Sequence, residues 1–215
     1  MITFITPTLW KSDKILDNIE LFKEANIPNS EFIVIDNTDS SFNDPQIKVL
    51  KQDENIFVNP AWNLGFEYAT NEILCILNDD ISFNFKNLYH NLSRINDLDF
   101  GVIGFDANAN FYEEHNNDND DFIFEEAPCR SLGFGCMMII KKSNYIVIDK
   151  GLKVFFGDDL LYWWNKDYHK RKIYNITNFK AVGELSVTSR DYEHVMQLES
   201  DTFQDVVKKL INHAN

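Results

Sequence analysis

Residues 73–83, with the sequence ILCILNDDISF, combine an apolar run with a cluster of amide and acidic side chains. An apolar run with no alternation ends abruptly in Asn78, Asp79 and Asp80. A strand that is apolar on both faces is typical of the interior of a parallel sheet. Ligands of such sheets bind outside the carboxyl ends of the strands. The stretch therefore predicts a central strand that delivers two carboxylates to a ligand-binding edge, although the same residues also suit a polar turn or a helix cap.

The segments on either side alternate between strand-like and helix-like patterns. Strands are predicted at ITFITPT, EFIVIDNTDS, IKVL and FGVIGF, and helices at SDKILDNIELFKEA, NPAWNLGFEYATNE and KNLYHNLSRIND. The order up to about residue 105 is β-α-β-(β)-α-β-α-β. This order predicts an α/β fold, a three-layer sandwich around a mostly parallel sheet.

The second half of the chain is less regular. Residues 108–128 carry seven acidic residues and neither Lys nor Arg, which favours a solvated surface loop over a lid or a cation-attracting loop. Further strands are predicted at SLGFGCMMIIKKSNY, KIYNI and KAVGELSVTS, and helices within VFFGDDLLYWWNKDYHKRK and over residues 200–213. No repeat or Pro/Gly/Ser-rich linker interrupts the pattern, so residues 1–215 are expected to form a single domain.

Composition excludes several classes of function. The 215 residues include 20 Lys and Arg against 34 Asp and Glu, a net charge of −14, which disfavours binding to nucleic acid or anionic membrane by bulk charge. Three cysteines without a CxxC pair suit a reducing compartment. No signal peptide precedes the first strand, and no apolar run reaches the ~18–20 residues of a membrane span. We therefore expect a soluble cytoplasmic protein without a membrane anchor.

Acidic residues at element boundaries are the main candidates for chemistry. Asp36 ends an apolar strand, where its carboxylate suits either a ribose or base edge or an Asx-type turn. Adjacent Asp79 and Asp80 repel each other unless a cation compensates, and oxygen ligands suit Mg²⁺ or Mn²⁺. Asp158 and Asp159 follow Gly157 at the start of a predicted helix, where they suit either helix capping or general base catalysis.

Other patterns point less clearly to a function. Gly133 and Gly135 precede a strand, where they permit either close approach of a ligand or a bulge. A basic cluster complements either a helix C-terminus or a polyanionic acceptor, and consists of Lys166, Lys170, Arg171 and Lys172. The chain has no nucleophile elbow, no Walker A loop and no GxGxxG loop, and its five histidines lack metal-ligand spacing.

Taken in order, these segments resemble the family 2 glycosyltransferases with the GT-A fold. NPAWNLGFEYA is similar to the Asn-x-Gly-x-x-x-Ala segment of that family, and ILCILNDD to its strand with an Asp-x-Asp or Asn-x-Asp motif. LGFGCMMIIKKSNY resembles the acceptor-side strand and turn, and FFGDDLLYWW the acidic motif that supplies the catalytic base. With the strand ends ITPT and VIDN, the resemblance covers about residues 2–190.

The resemblance implies a GT-A-type, Rossmann-like three-layer α/β/α sandwich. Residues 1–105 would form the nucleotide-sugar-binding half and residues 129–215 the acceptor-side half. The implied activity is metal-dependent, inverting transfer of a sugar from a nucleotide-sugar donor, with a UDP-sugar favoured and Mn²⁺ or Mg²⁺ as cofactor. The acceptor hydroxyl could belong to a polysaccharide intermediate, a protein or a small molecule. For a phage-encoded enzyme acting in the host cytoplasm, a hydroxymethylated DNA base is a further candidate. Net charge disfavours DNA.

The resemblance also implies roles for individual residues. The donor site would be formed by Thr6, Asp36, Asn63, Gly65, Asn78 and Asp79. The cation would be held by Asp80, with Asn78 or Asp79 nearby, and by Glu184 or His194 as a further ligand. Asp159 would be the base that deprotonates the acceptor hydroxyl, with Asp158 as the competing assignment.

Two other functions stay open on sequence alone. A sugar-phosphate nucleotidyltransferase would share the fold, but the chain lacks the Gly-rich, basic N-terminal loop expected for triphosphate binding. A catalytically degenerate domain would bind a sugar nucleotide or a partner protein. Convergence of the two acidic pairs on one cleft favours an enzyme, whereas a separation of more than ~10 Å favours capping and turn roles.

Overall fold

The computed structural model describes residues 1–38, 40–105, 112–131, 133–183 and 192–213. Within these residues, eight strands form one mixed sheet in the order β3-β2-β1-β4-β8-β6-β9-β7. The strands are β1 (Ile2–Thr8), β2 (Glu31–Asp36), β3 (Lys48–Lys51), β4 (Ile73–Leu77), β6 (Val102–Gly104), β7 (Phe124–Glu126), β8 (Met137–Lys141) and β9 (Ile173–Ile176). Two short strands, β5 (Ile81–Ser82) and β10 (Val182–Gly183), form a separate antiparallel pair.

The first four strands of the sheet order are parallel, which confirms the predicted arrangement of the N-terminal half. Thr8 at the end of β1 pairs with Asp36 at the end of β2. Strand β8 lies antiparallel between β4 and β6, so its first residue, Met137, pairs with Leu77 at the end of β4. The carboxyl ends of β1, β2 and β4 and the start of β8 therefore meet at one edge.

Helices cover both faces of the sheet and complete the three-layer sandwich. They are α1 (Lys14–Ala25), α2 (Val58–Tyr68), α3 (Phe85–His90), α4 (Leu92–Asp97), α5 (Gly157–Trp163), which continues in a π-helical turn over Trp164–Tyr168, and α6 (Glu193–His213). One face buries a cluster rich in phenylalanine that includes Phe4 and Phe22, and the other buries Ile5, Leu160 and Val206. Phe4 and Ile5 are neighbours in β1, and successive side chains of a strand point to opposite faces of the sheet. This one strand therefore contributes to both clusters.

The structure corrects several predicted boundaries. The helix predicted at KNLYHNLSRIND is two helices, because the Asn91 side chain at the junction bonds to the carbonyls of Asn87 and Asp120. The acidic stretch is not all loop, since β7 lies within it and pairs with β9. The terminal helix begins at Glu193, ahead of the predicted residue 200. Of the strand predicted at KAVGELSVTS, Val182–Gly183 is described and residues 184–189 are not.

Candidate active site

A cavity of about 210 Å³ opens at the edge where β1, β2 and β4 end. Its walls include Thr8 and Lys11 after β1, Asn37 after β2, and Asn78, Asp79 and Asp80 after β4. The start of α2 adds Phe57 and Val58, and the second half of the chain adds Val154 and Tyr192. The cavity therefore lies at the carboxyl ends of the parallel strands, as the sequence predicts.

The Asp79–Asp80 pair forms part of the cavity wall. The Thr8 hydroxyl donates a hydrogen bond of 2.7 Å to Asp79 Oδ2 and itself accepts one from the backbone N–H of Trp10. Burial raises the pKa of the Asp79 carboxyl above its ordinary value, and the hydrogen bond from Thr8 offsets part of this rise. A partly buried carboxylate pair of this kind favours a cation or a hydrogen-bond donor beside it.

Asp36 is not among the residues that line the cavity. Its buried carboxylate accepts hydrogen bonds from the Trp10 indole N–H at 2.9 Å, from the Thr38 N–H and hydroxyl, and from the Ser40 hydroxyl. Burial alone would raise the pKa of this carboxyl, but these hydrogen bonds outweigh it and hold the pKa below its ordinary value. Asp36 thus organises the loop after β2, while its neighbour Asn37 faces the cavity.

Three other residues predicted for the donor site also lie outside the cavity lining. Thr6 is buried within β1, and its hydroxyl makes no hydrogen bond among the described residues. Asn63 holds the loop at Ile148, to whose carbonyl its amide donates and from whose N–H it accepts. At Gly65 a Cβ atom would lie 2.3 Å from the Ile5 side chain, so this glycine lets α2 pack closely on the sheet. The surroundings of these three residues indicate structural roles.

The second acidic pair begins helix α5 and is bridged by one arginine. Arg130 Nη1 lies 2.8 Å from Asp158 Oδ2, and Arg130 Nε lies 2.7 Å from Asp159 Oδ1. Burial and the neighbouring Asp158 charge raise the pKa of Asp159 to about 6, although Arg130 acts in the opposite direction. A carboxyl with this pKa is largely ionised at neutral pH and able to accept a proton.

One residue of each acidic pair, Asp80 and Asp158, lies near the short segment Gly135–Cys136. The Asn78 N–H donates to the Cys136 carbonyl at 2.9 Å, which ties the end of β4 to this segment. A Cβ atom on Gly135 would lie 2.8 Å from Asp158 Oδ2, so the lack of a side chain at Gly135 leaves room for that carboxylate. Burial, together with the nearby charges of Asp80 and Asp158, raises the pKa of the Cys136 thiol to about 12. Gly135 and Cys136 are thus near one residue of each pair, while neither Asp158 nor Asp159 is among the residues that line the cavity.

The structure describes only one of the two predicted further metal ligands. Glu184 lies outside the described residues, and His194 is exposed in the first turn of α6. Across the part of the chain that the structure describes, no group of three His, Cys, Asp or Glu side chains is arranged to hold a metal ion. The two carboxylates alone still fit Mg²⁺, which is commonly held by one or two carboxylates together with substrate phosphates and water.

The basic cluster is mostly occupied by partners from its own chain. Lys166 donates to the carbonyls of Ala127 and Pro128, Arg171 donates to Asn165 Oδ1 at 3.0 Å, and Lys172 pairs with Glu126 at 3.3 Å. These contacts fasten the π-helical turn to neighbouring loops. They favour the structural interpretation of the cluster over recognition of a polyanionic acceptor.

Several site residues were missed by sequence reasoning. Lys11 is the third residue after β1, so the strand-end argument that singles out Asp36 could have found it. Phe57, Tyr192 and Arg130 reach the site through long-range contacts that carry no local sequence signal.

Comparisons with known proteins identify the family of this chain. The model of glycosyl transferase family 2 matches residues 3–185, and the chain belongs to that family. Its fold is the GT-A fold of α/β glycosyltransferase structures. A search of curated proteins finds no match. Within the described residues, no helix has both the length and the apolar character needed to cross a bilayer.

The chain is also similar to solved structures of Staphylococcus aureus TarS. The crystal structure of TarS 1–349 shares 16% identity with a TM-score of 0.64, over 92% of this chain and 63% of that one. The complex of TarS 1–349 with UDP gives 17% identity and a TM-score of 0.63, over 92% and 63%. The complex with UDP-GlcNAc gives 16% and 0.62, over 92% and 64%. The chain therefore spans less than two thirds of these structures, and the likeness shows the fold.

Proposed function

We propose that this chain transfers a sugar from a UDP-sugar donor to an acceptor hydroxyl with inversion at the anomeric carbon. The observation that carries the proposal is the approach of both acidic pairs to Gly135 and Cys136 beside a cavity at the sheet edge. The UDP and UDP-GlcNAc complexes of TarS support a uridine nucleotide as the donor. A capping role alone would not require the two pairs to face the same segment.

The cavity wall carries groups that suit both ends of a nucleotide. The polar groups of Asn37 and the aromatic ring of Phe57 suit a base and its ribose. Lys11 and the Asp79–Asp80 pair suit the diphosphate. Asp80 and Asp79 would hold a divalent cation, which, when bound, neutralises charge on the departing diphosphate. Asn37 thereby takes the base-reading role first expected of Asp36.

Asp159 is the base in this proposal. The acceptor oxygen attacks the anomeric carbon from the side opposite the nucleotide, the bond from that carbon to the phosphate oxygen breaks, and the hydroxyl proton passes to Asp159. Arg130 holds Asp159 and Asp158 together and prevents the pKa of the base from rising further. Because only the ionised carboxylate accepts a proton, transfer should fail as the pH falls below about 6.

The acceptor is more consistent with a sugar, protein or small-molecule hydroxyl than with DNA. The net charge of −14 repels a polyanion, and three of the four residues of the basic cluster are engaged within the chain.

Thermal melting against nucleoside diphosphates and sugar nucleotides, with and without Mn²⁺, tests the donor assignment. A ligand that binds the folded state raises the melting temperature in proportion to the logarithm of its concentration over its Kd. We expect UDP and one UDP-sugar to give a shift that Mn²⁺ enlarges, and ADP to give none. The absence of a shift with every uridine nucleotide would contradict the proposal.

A further inference from the structure

Helix α6 carries a buried carboxylate that binds backbone far from it in sequence. Glu199 is 3% exposed. Its Oε1 accepts the N–H of Lys153 at 2.9 Å, its Oε2 accepts that of Phe155 at 2.7 Å, and both oxygens lie 3.1 Å from the N–H of Val154. Three consecutive backbone donors thus share one carboxylate, an arrangement that recurs where backbone holds an anion. We call residues 153–155 the strap.

The strap is fastened from its other side by helix α2. The backbone N–H of Asn59 donates to the Lys153 carbonyl at 3.0 Å, and its side-chain amide donates to the Phe155 carbonyl at 2.9 Å. Asn59 is fully buried. Glu199 therefore accepts from all three backbone N–H groups of the strap, and Asn59 donates to two of its three carbonyls.

The strap connects the cavity to the second acidic pair. Val154 lines the cavity, and the residue after the strap, Phe156, has a left-handed backbone with a φ of 60°. A bulky residue keeps that conformation only where its surroundings impose it. Gly157 follows, with no room for a Cβ atom against Asn59, and then Asp158 and Asp159. A shift of the strap would therefore move the start of α5.

Helix α6 has an anchor that does not depend on Glu199. The Phe203 ring stacks on Phe156 with centroids 5.4 Å apart, and Val206 is buried in the core on this face. The family model matches the chain only to residue 185, so α6 lies beyond the stretch that it matches. The helix still contacts the site, because Tyr192 just before it lines the cavity.

We infer that Glu199 is a positioning residue, which sets Asp159 relative to the donor cavity by holding the strap. This inference rests on the proposed role of Asp159 as the base. Glu199 itself touches neither the cavity nor the acidic pair in the contacts described above, so it acts through the backbone of residues 153–157.

The test compares Glu199→Gln with Asp201→Asn, a control that removes an exposed carboxylate from the same helix. Glutamine keeps the shape but turns an NH₂ group toward backbone donors, so part of the strap loses its acceptor. Two readouts are used: the titration midpoint of the Asp159 carboxyl, followed by ¹³C NMR, and the hydrolysis of a UDP-sugar. We expect Glu199→Gln to shift the midpoint and to lower kcat by about 100-fold, with a much smaller change in KM. Asp201→Asn should match the wild type, and Glu199→Asp should fall between.

An unchanged Asp159 midpoint in folded Glu199→Gln would overturn the inference, as would a loss of kcat that merely follows the unfolded fraction. Where Glu199→Gln does not fold, Glu199→Asp carries the same comparison, since it keeps a carboxylate on a shorter stem. If the wild-type protein binds no uridine nucleotide, the proposed function fails. The NMR titration still decides in that case whether Glu199 sets the environment of Asp159.

Discussion

The two acidic pairs of this protein are similar in composition and differ in what holds them in place. Asp79 and Asp80 follow a strand that is buried along its whole length, and Thr8 from the neighbouring strand donates to Asp79. Asp158 and Asp159 begin a helix of seven residues and depend on Arg130, on the space beside Gly135 and on the backbone before them. The first pair is placed by the sheet, and the second by contacts between distant segments.

This difference suggests a division of work. A carboxylate pair fixed to the sheet edge is suited to hold a charged donor at a constant place. A pair on a short helix, tuned by an arginine and by burial, is suited to exchange a proton. Substitutions in the two pairs should therefore have separable effects on donor binding and on turnover.

Replacing the proposed base should have the largest effect. We expect Asp159→Asn to lower the kcat of sugar transfer by about 10²- to 10⁴-fold, the range for loss of a general base, while UDP binds as to the wild type. Steady-state kinetics and calorimetric titration with UDP measure the two quantities. Asp167→Asn, an exposed acid on the same helical segment, is the control and should change neither. Wild-type kcat in Asp159→Asn would remove Asp159 from the mechanism.

Asp80→Asn should act on binding instead. Loss of a charged partner costs about 1.5–3 kcal/mol, which corresponds to about 10- to 150-fold in the Kd for UDP in the presence of Mn²⁺. The same calorimetric titration measures this loss, with the exposed Asp53→Asn as control. If Asp80→Asn kept wild-type affinity for UDP with and without Mn²⁺, the assignment of the diphosphate to this part of the cavity would be wrong.

Asp36→Asn should reduce stability more than donor affinity. Its carboxylate accepts several buried hydrogen bonds, and the amide leaves at least one donor without its acceptor, at a cost of about 1–3 kcal/mol in the free energy of unfolding. Urea unfolding measures this cost. Because the folded-state pKa of Asp36 lies below its ordinary value, its contribution is present near neutral pH and disappears as the pH falls through that pKa. Asn37→Ala should reduce UDP affinity, and because Asn37 is buried and its Oδ1 accepts the Ile56 N–H, it should lower stability as well.

Arg130→Gln should have the smallest effect of these substitutions. It should lower kcat clearly near neutral pH and hardly at all at high pH. Removing the guanidinium takes away the charge that lowers the pKa of Asp159, so that pKa should rise above about 6. The acid limb of the kcat profile should then move to higher pH, and the rate lost at pH 7 should return at pH 8–9. Arg94→Gln, an arginine that pairs with Asp121 away from the acidic pairs, should leave the profile in place. An unshifted profile in Arg130→Gln would mean that Arg130 does not tune the base.

Much of the fold could be predicted because it follows from local patterns. The apolar runs of β1, β2 and β4 determine a parallel sheet, and strands that end together bring Asn78, Asp79 and Asp80 to its edge. The sequence could not show that β8 inserts antiparallel between β4 and β6, because strand order depends on which surfaces meet in three dimensions.

The assignment of individual residues to the cavity was less predictable, because a side chain's direction depends on distant residues. Whether Asp36 or Asn37 faces the cavity is decided by the indole of Trp10, which lies on another loop. Asn63 and Gly65 hold α2 against its neighbours: Asn63 donates to the Ile148 carbonyl, and Gly65 packs closely on Ile5. Arg130 contacts Asp158 across a sequence separation of 28 residues. Glu199 contacts the strap across 44 residues or more. No local sequence periodicity indicates contacts at such separations.

A crystal structure of this chain with UDP and Mn²⁺ would show where the donor and the cation bind. We expect the diphosphate beside Lys11 and the Asp79–Asp80 pair, and the uracil toward Asn37 and Phe57. The Asp159 carboxylate should face the end of the β-phosphate where the sugar would attach. UDP bound outside this cavity, or Asp159 separated from the phosphate by intervening protein, would contradict this arrangement.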